Sequence, residues 1–412
     1  MDLADVDELR EDLDAFCAEV LAPITRKDSR GWGNCYLRGL MLDGHRKSIQ
    51  PMAERLPDGN MQALQQFVAS SPWDHAPIRR RIATKVSQTI NPDVWVIDDT
   101  SFPKAGTASV GAAHQWCGAL GKQALCQVGV SLHAATDAAS VPLDWRLYLP
   151  KEWADPADGR RAKTGIPEGV GHREKWRLAL DMVGQARQWG LDEKVVVADA
   201  GYGQNHHFRD GLAERGLDYV VAVRGDLNAH PGDAVPRAGE PGRSGPAPQP
   251  RYRTPARSLK DLALEQGRRA LRRCTWRQGS RGPMRGRFLA VAVRPAGVAA
   301  RRAATARAGG WPAWDGVLSA ETLIAEWPPH QEAPTDYWLS SLPADTALRH
   351  LVRSAKMRWR IEHDYRELKH GLGLDHYEGR TWRGWHHHVT LVTAAQAFLT
   401  LRRLDPKHLT SV

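Results

Sequence analysis

Cysteine is scarce and shows no pairing pattern. There are five (Cys17, Cys35, Cys117, Cys126 and Cys274), an odd number with no C-x-x-C spacing. That excludes a disulfide framework and a zinc finger as organising features. Cys117 and Cys126 lie close together, and two buried thiols in one β meander account for them better than redox chemistry. Long apolar runs are missing too: the longest apolar helix candidate, near Val389 to Leu401, is too short and too polar to span a bilayer. The first residues, Met1-Asp-Leu-Ala-Asp-Val-Asp, are acidic and lack the basic start and apolar run of a signal peptide. A reduced, cytoplasmic protein with no membrane partner is expected. Nucleotide-loop signatures are absent as well. The Ala200-Gly-Tyr-Gly203 turn has neither G-x-G-x-x-G nor a P-loop lysine.

What is present is length, apolar content and positive charge. At 412 residues the chain is long for one compact domain, and 42% apolar residues suffice for a sizeable core. Lys and Arg total 57 against 47 acidic residues, a formal charge of +10 with pI near 9.5, which suggests a polyanionic partner. Sixteen tryptophans are unusually many; most are expected in the core, and some are candidates to stack on bases.

Residues 1–90 read as helical. Leu9, Leu13, Phe16 and Val20 have helical spacing, followed by Tyr36 to Met41 and Met61 to Val68, with basic clusters at Arg26-Lys27, Arg46-Lys47 and Arg79-Arg-Arg81. From about 91 to 225 strands come first (Val94 to Ile97, Ala108 to Trp116, Gln127 to His133, Leu143 to Leu149). Helix and strand then alternate: Glu174 to Trp189, Lys194 to Asp199, His206 to Arg215, Tyr219 to Val223. Residues 226–342 read as a loop-rich, mostly β insertion. Pro231-Gly-Asp and Glu240-Pro-Gly-Arg-Ser-Gly-Pro246 mark loop; Arg287 to Val293 and Asp336 to Ser341 read as strands on either side of an Ala- and Arg-rich piece, Ala299 to Gly310. Residues 343–412 complete the preceding core with two helices.

The chemistry-bearing stretch is Lys356-Met-Arg-Trp-Arg-Ile-Glu-His-Asp-Tyr-Arg-Glu-Leu-Lys369, free of Gly and Pro. As one helix at about 100° per residue, Arg358, Glu362, Tyr365 and Lys369 fall within roughly 60° of one another. Met357, Ile361, Leu368 and Leu372 form a separate apolar stripe. Glu367 sits roughly 140° round from Glu362 and is set aside. Two apolar runs end in aspartate: Val94-Trp-Val-Ile-Asp98-Asp99-Thr100 and Val195-Val-Val-Ala-Asp199. Neighbouring Asp98 and Asp99 point to opposite faces of a continuing strand, so only one can join a cluster. Clustered carboxylates suit divalent cations with oxygen ligands. Trp382-Arg-Gly-Trp-His386-His-His388 is not such a site, because three consecutive histidines cannot face one ion. A buried helix start or phosphate contacts fit it better.

Three blocks together, Ile97 to Gly106, Ala198 to Tyr202 and the late helix, resemble a bacterial insertion-sequence transposase of the DDE superfamily. Ser109-Val-Gly, Gly118-Ala-Leu-Gly-Lys122 and Cys126-Gln-Val extend the resemblance. Related transposases carry Tyr-x2-Arg-x3-Glu-x6-Lys; Arg358, Glu362 and Lys369 match, while Ala355 stands at the tyrosine position. The resemblance implies an α/β, ribonuclease H-like mixed-sheet catalytic core, with a helical, DNA-binding N-terminal domain.

It also implies Asp98, Asp199 and Glu362 as catalytic metal ligands, Asp98 being preferred over Asp99 on the Asp-x-Thr pattern with Thr100. Two Mg2+ ions, replaceable by Mn2+, would serve phosphodiester hydrolysis and strand transfer. Arg358, Lys369, Tyr365, Lys104 and Lys122 are the expected DNA contacts; Trp276, Trp311, Trp314 and Trp327 are candidates to stack on a displaced base. The implied partners are double-stranded DNA (element ends and target) and a second copy of the chain on DNA. The alternatives are a structure-selective nuclease of the same fold and a non-catalytic DNA-binding protein.

Overall fold

The computed structural model describes residues 3–155, 159–239, 248–279, 282–310, 313–405 and 407. The Glu240-to-Pro246 loop and Trp311 lie outside the described residues. The chain forms two compact units, Met1–Glu193 with Trp359–Val412, and Lys194–Arg358. The fold is mixed α/β. No described helix is long and apolar enough to cross a membrane.

The first unit opens with α1 (Leu3–Val20), α2 (Lys27–Met41), α3 (Ile49–Arg55), α4 (Met61–Ala69) and α5 (His75–Ile90). Asn60 and Asp74 start α4 and α5 by accepting the backbone N–H groups of Ala63 and Ala76, each at 2.9 Å. Strands β1 (Val94–Pro103), β2 (Ala113–Cys117), β3 (Lys122–Ala135) and β4 (Ser140–Leu147) follow, then α6 (Gly159–Thr164) and α7 (Lys175–Gln188). The second strand starts later than the expected Ala108, because residues 108–112 turn instead: Ala112 N–H bonds to Ser109 O, and Gly111 has φ +73°.

Strand β3 is the spine of this sheet. It pairs antiparallel with β1 along one edge, and with β2 and then β4 along the other. The β1–β3 ladder runs without a register shift and sets Asp98 opposite Ser131, Thr100 opposite Gly129 and Phe102 opposite Gln127. Strand alternation therefore gives these six residues one face and gives Asp99, Ser101, Val128 and Val130 the other. Cys117, Cys126 and Val128 form a small buried cluster on that second face. Burial pushes the Cys126 thiol up to about 12, and all five cysteines are free.

The second unit comprises β5 (Val195–Ala198), α8 (Ala200–Gly203), α9 (His206–Glu214), β6 (Asp218–Val223), β7 (Asn228–Pro231), β8 (Arg257–Ser258), α10 (Leu259–Gln266), β9 (Arg272–Gly279), β10 (Gly282–Pro295), α11 (Val298–Arg307), β11 (Glu321–Glu326), β12 (Asp336–Ser340) and α12 (Leu348–Met357). Strands β5 and β6 are parallel, and from β6 the sheet continues antiparallel through β12, β11, β10, β7 and β8. The all-apolar Val195-Val-Val-Ala run of β5 is buried throughout, as a strand covered on both faces requires. The Ala- and Arg-rich piece is α11. Strands β9 and β11 lie outside the expected pair of strands in this region.

The chain then returns to the first unit with α13 (Trp359–Arg366) and α14 (Trp382–Leu404). The 23-residue α14 is buried nearly all round, and α1, α2, α4 and α5 pack about it.

Candidate active site

The late helix differs from one continuous rod. Helix α12 ends at Met357, Arg358 is a turn residue, and α13 begins at Trp359. Past Arg366 the backbone widens into a π-turn over Glu367–Gly371, with Leu372 N–H bonded to Glu367 O at 3.1 Å. The apolar stripe stands: Met357, Ile361, Leu368 and Leu372 are all buried.

A polar relay pins α13 to the sheet. Tyr365 Oη lies 2.7 Å from Ser131 Oγ, which lies 2.9 Å from His133 Nε2, and His133 Nδ1 lies 3.1 Å from Asp364 Oδ2. Asp364 also accepts from Ser140 Oγ at 2.6 Å, and Arg360 Nε donates to that same hydroxyl at 3.2 Å. With Asp364 as terminal acceptor, His133 donates from Nδ1. Ser131 Oγ also lies 3.5 Å from the Asp98 carbonyl, so the relay reaches the backbone of β1. Burial, together with the charge of Asp98, holds the Tyr365 phenol well above its ordinary value, so it remains a donor.

This geometry separates the paired aspartates. Asp98 is buried on the Ser131 face, beneath Tyr365, and its Oδ1 accepts the Asp99 N–H at 2.8 Å. Asp99 is on the opposite face, where Lys175 Nζ of α7 reaches its Oδ2 at 2.9 Å. Glu362 is exposed on α13, one turn before Tyr365 on the same side. Glu367 is ion-paired with Arg403 of α14 at 2.8 Å.

Of the expected cations, Lys369 donates to Ser101 O at 2.9 Å and lies 5.4 Å from the centre of the Phe102 ring; burial lowers its pKa. Lys104 donates to Tyr377 O at 2.8 Å, and burial lowers its pKa too. Lys122 is exposed at the start of β3. Tyr365, expected to touch DNA, has its hydroxyl directed to Ser131 inside the protein. Arg358 is half-buried at the end of the second unit, and Ala355 is buried.

In the second unit, Asp199 follows β5 directly and caps α8, its Oδ1 accepting the Tyr202 N–H at 3.3 Å. Gly203 closes that turn against β6 so tightly that a Cβ there would stand 2.0 Å from Ala222 O. Arg209 Nη1 donates to Gly203 O at 2.5 Å, and its Nε faces Glu321 of β11 at 3.4 Å, both side chains being buried. Burial raises the Glu321 pKa in spite of Arg209. Trp314 and Trp327 are buried, their indole N–H groups bonded to Val317 O and Gln331 O; half-buried Trp276 meets Phe288 edge-on at 5.6 Å.

The histidine triplet is a buried helix start. His386 faces Arg79, His387 lies between Val68 O and Trp73 O, and His388 between Tyr36 Oη and Gly373 O. Among the described residues no three His, Cys, Asp or Glu side chains form a group that could hold a metal ion. Within the first unit, Asp98 and Glu362 carry the carboxylate oxygens that hard divalent cations take. Sequence reasoning missed Ser131, His133, Ser140 and Asp364. The only sequence signal of Ser131, His133 and Ser140 is polar residues on otherwise apolar strands; Asp364, on α13, has none.

The profile of the DDE superfamily endonuclease family matches residues 19–283. A protein of Microchaete diplosiphon described as a probable transposase for insertion sequence element IS701 is 28% identical over 189 residues, 45% of this chain and 47% of that protein. The chain thus spans about half the length of this relative. A solved piggyBac transposase synaptic complex with hairpin DNA aligns at TM-score 0.41 and 11% identity, over 96% of this chain and 72% of that one. That similarity is too weak to bear on the fold.

Proposed function

Because the chain belongs to the DDE superfamily endonuclease family, we propose that it is the DNA transposase of an insertion sequence, with Asp98, Asp199 and Glu362 as its acidic triad. The observation that carries this reading is the separation across β1. Asp98 faces the helix that bears Glu362, while Asp99 turns away into an ion pair with Lys175. The name of the Microchaete relative supports the same assignment for the part of the chain it matches. A ribonuclease H-like core is the finer fold reading, supported by the antiparallel β1–β3 pair followed by the parallel β5–β6 pair.

Family membership implies a divalent metal. Two Mg2+ ions, replaceable by Mn2+, suit the carboxylate set. Bound there, such ions supply Lewis-acid stabilisation of the phosphate and a more acidic attacking water. The remaining work falls to the chain. Asp98 and Glu362 provide anionic oxygens on one side of the first unit; Asp199 is included on the family pattern. Tyr365 acts as a positioning residue: its bond to Ser131 fixes the turn that carries Glu362. Lys369 and Lys104 each spend one N–H on a backbone carbonyl, which leaves N–H groups for DNA phosphates; Lys122 and Arg358 complete the proposed cationic set. Action on two element ends and a target calls for two copies of the chain on DNA.

The deciding experiment is cleavage of a labelled duplex spanning the border of the encoding element, with Mg2+. Native protein should cut and join; Glu362→Gln and Asp98→Asn should do neither, while Asp99→Asn keeps most of the activity. Loss in Asp99→Asn with retention in Asp98→Asn would reverse the assignment. Cutting without joining would make the protein a nuclease, and binding without cutting a DNA-binding protein.

A further inference from the structure

The β2–β3 hairpin ends in a tip that the catalytic reading does not use. Gly118 to Gln123 are all exposed, and Leu120 N–H bonds back to Cys117 O at 3.0 Å, with Gly121 at φ +62°. Two large apolar side chains stand in solvent there, Trp116 at 61% exposure and Leu120 at 49%. Among the described residues the only other tryptophan so exposed is Trp359. Nothing in the packing of the first unit requires an indole at position 116.

The tip is held firmly against Ser101 of β1. Five residue pairs join β2 to β3, from Ala113–Cys126 to Cys117–Lys122, and Cys117 and Cys126 anchor the base in a buried cluster. Beyond the ladder the tip bends back. Ala119 N–H donates to Ser101 Oγ at 2.9 Å, and Cys117 Sγ contacts the same oxygen at 3.4 Å. Ser101 follows Asp98 by three residues, about 10 Å along β1 and with its side chain on the other face, and its carbonyl accepts from Lys369. The apolar tip therefore lies beside both Lys369 and the strand that carries the candidate catalytic aspartate.

The charge pattern indicates what it touches. From Thr100 to Thr136 there is no acidic residue, while Lys104 and Lys122 are present. A stretch that excludes carboxylates and mixes lysine with exposed apolar side chains fits a polyanion that also has flat apolar faces, which is DNA. Cutting a strand next to a border deprives the terminal base of a stacking neighbour, and an indole can replace that neighbour. We infer that Trp116 and Leu120 form a rigid apolar probe that stacks against a nucleobase near the cut, with Lys122, on the opposite face of the hairpin from Trp116, on a phosphate. This rests on the transposase reading and adds to it a direct contact with a base.

The test uses the full chain and a border duplex carrying 2-aminopurine at each position near the border in turn, with Ca2+ present to permit binding without cutting. Native protein should change the fluorescence at one or two positions. Trp116→Ala should abolish that change and weaken binding roughly ten-fold or more, and Trp116→Phe should restore both. Lys122→Ala should weaken binding to any duplex and lower the salt slope by about one. Because position 116 is exposed, its variants should melt like the native protein. Native-like fluorescence and affinity in Trp116→Ala, alongside normal cutting by the native chain, would overturn the base contact and leave the transposase reading intact. A changed sedimentation coefficient in Trp116→Ala with unchanged fluorescence would assign the tip to a second copy of the chain and likewise overturn it. Failure of the native chain to bind any border duplex would remove both readings.

Discussion

Asp98 and Asp199 are held in place by different means. Asp98 lies midway along a ten-residue strand, laddered to β3 over its whole length and covered by a helix that the Tyr365–Ser131–His133–Asp364 relay ties down. Asp199 follows a four-residue strand and sits on a single turn, which depends on Gly203 packing and on Arg209. The first arrangement spreads its constraint over many backbone bonds. The second concentrates it in one guanidinium, itself balanced against a buried carboxylate on β11.

The largest expected effect follows from that concentration. Arg209→Met leaves Glu321 buried without its cation and should lower stability in urea denaturation by about 3–5 kcal/mol, nearer the lower figure because Glu321 keeps its bond to Tyr219 and can take up a proton. The double variant Arg209→Met/Glu321→Leu should recover much of the loss; no recovery would mean that the Gly203 bond, and not the ion pair, carries the cost. On the Asp98 side, Asp364→Ala removes the acceptor for His133 and Ser140. A loss of about 1–3 kcal/mol is expected, with strand β1 still protected in amide exchange. If β1 opened, the claim of distributed constraint would be wrong.

Acid should separate the two regions more finely. His206, whose Nδ1 lies 3.3 Å from Arg209 Nη2, has its pKa pushed down to about 4, chiefly by burial. Its folded pKa is below the unfolded value of about 6.5, so the unfolded chain binds more protons between them. The stability it contributes is fully present above pH 6.5 and is lost as pH falls through 4. Melting temperature should decline across that window, less steeply in His206→Gln, and an imidazole resonance should titrate near 4. A His206 titration near 6.5 would refute the argument.

Much of this was legible in sequence wherever the signal was local. The apolar runs ending at Asp98 and Asp199 are strands, and the alternation rule that allowed only one of Asp98 and Asp99 matches their opposite faces. The relay was not legible. Ser131, Ser140 and Asp364 are brought together across more than two hundred residues, and no local spacing encodes that. The hairpin partner β9 escaped because it is Arg-rich and largely exposed, without the apolar alternation that reveals a half-buried strand. The break at Arg358 escaped for the opposite reason: helix propensity runs unbroken through it, and Arg358 keeps helical backbone angles, φ −53° and ψ −34°.

The π-turn at Glu367–Gly371 has a consequence for comparing relatives by aligned position. A π-turn accommodates one more residue than an α-turn while the chain remains helical, so the turn from Glu367 to Leu372, which holds Lys369, contains a residue that an α-helix would not need. A homologue one residue shorter there could present its carboxylate and cation in the same geometry and yet fail a search for a fixed interval. One that kept the interval in unbroken α-helix would pass the search with its cation rotated away from the Ser101 carbonyl. In this segment a gap in an alignment is weaker grounds for excluding a sequence than the direction in which its lysine points.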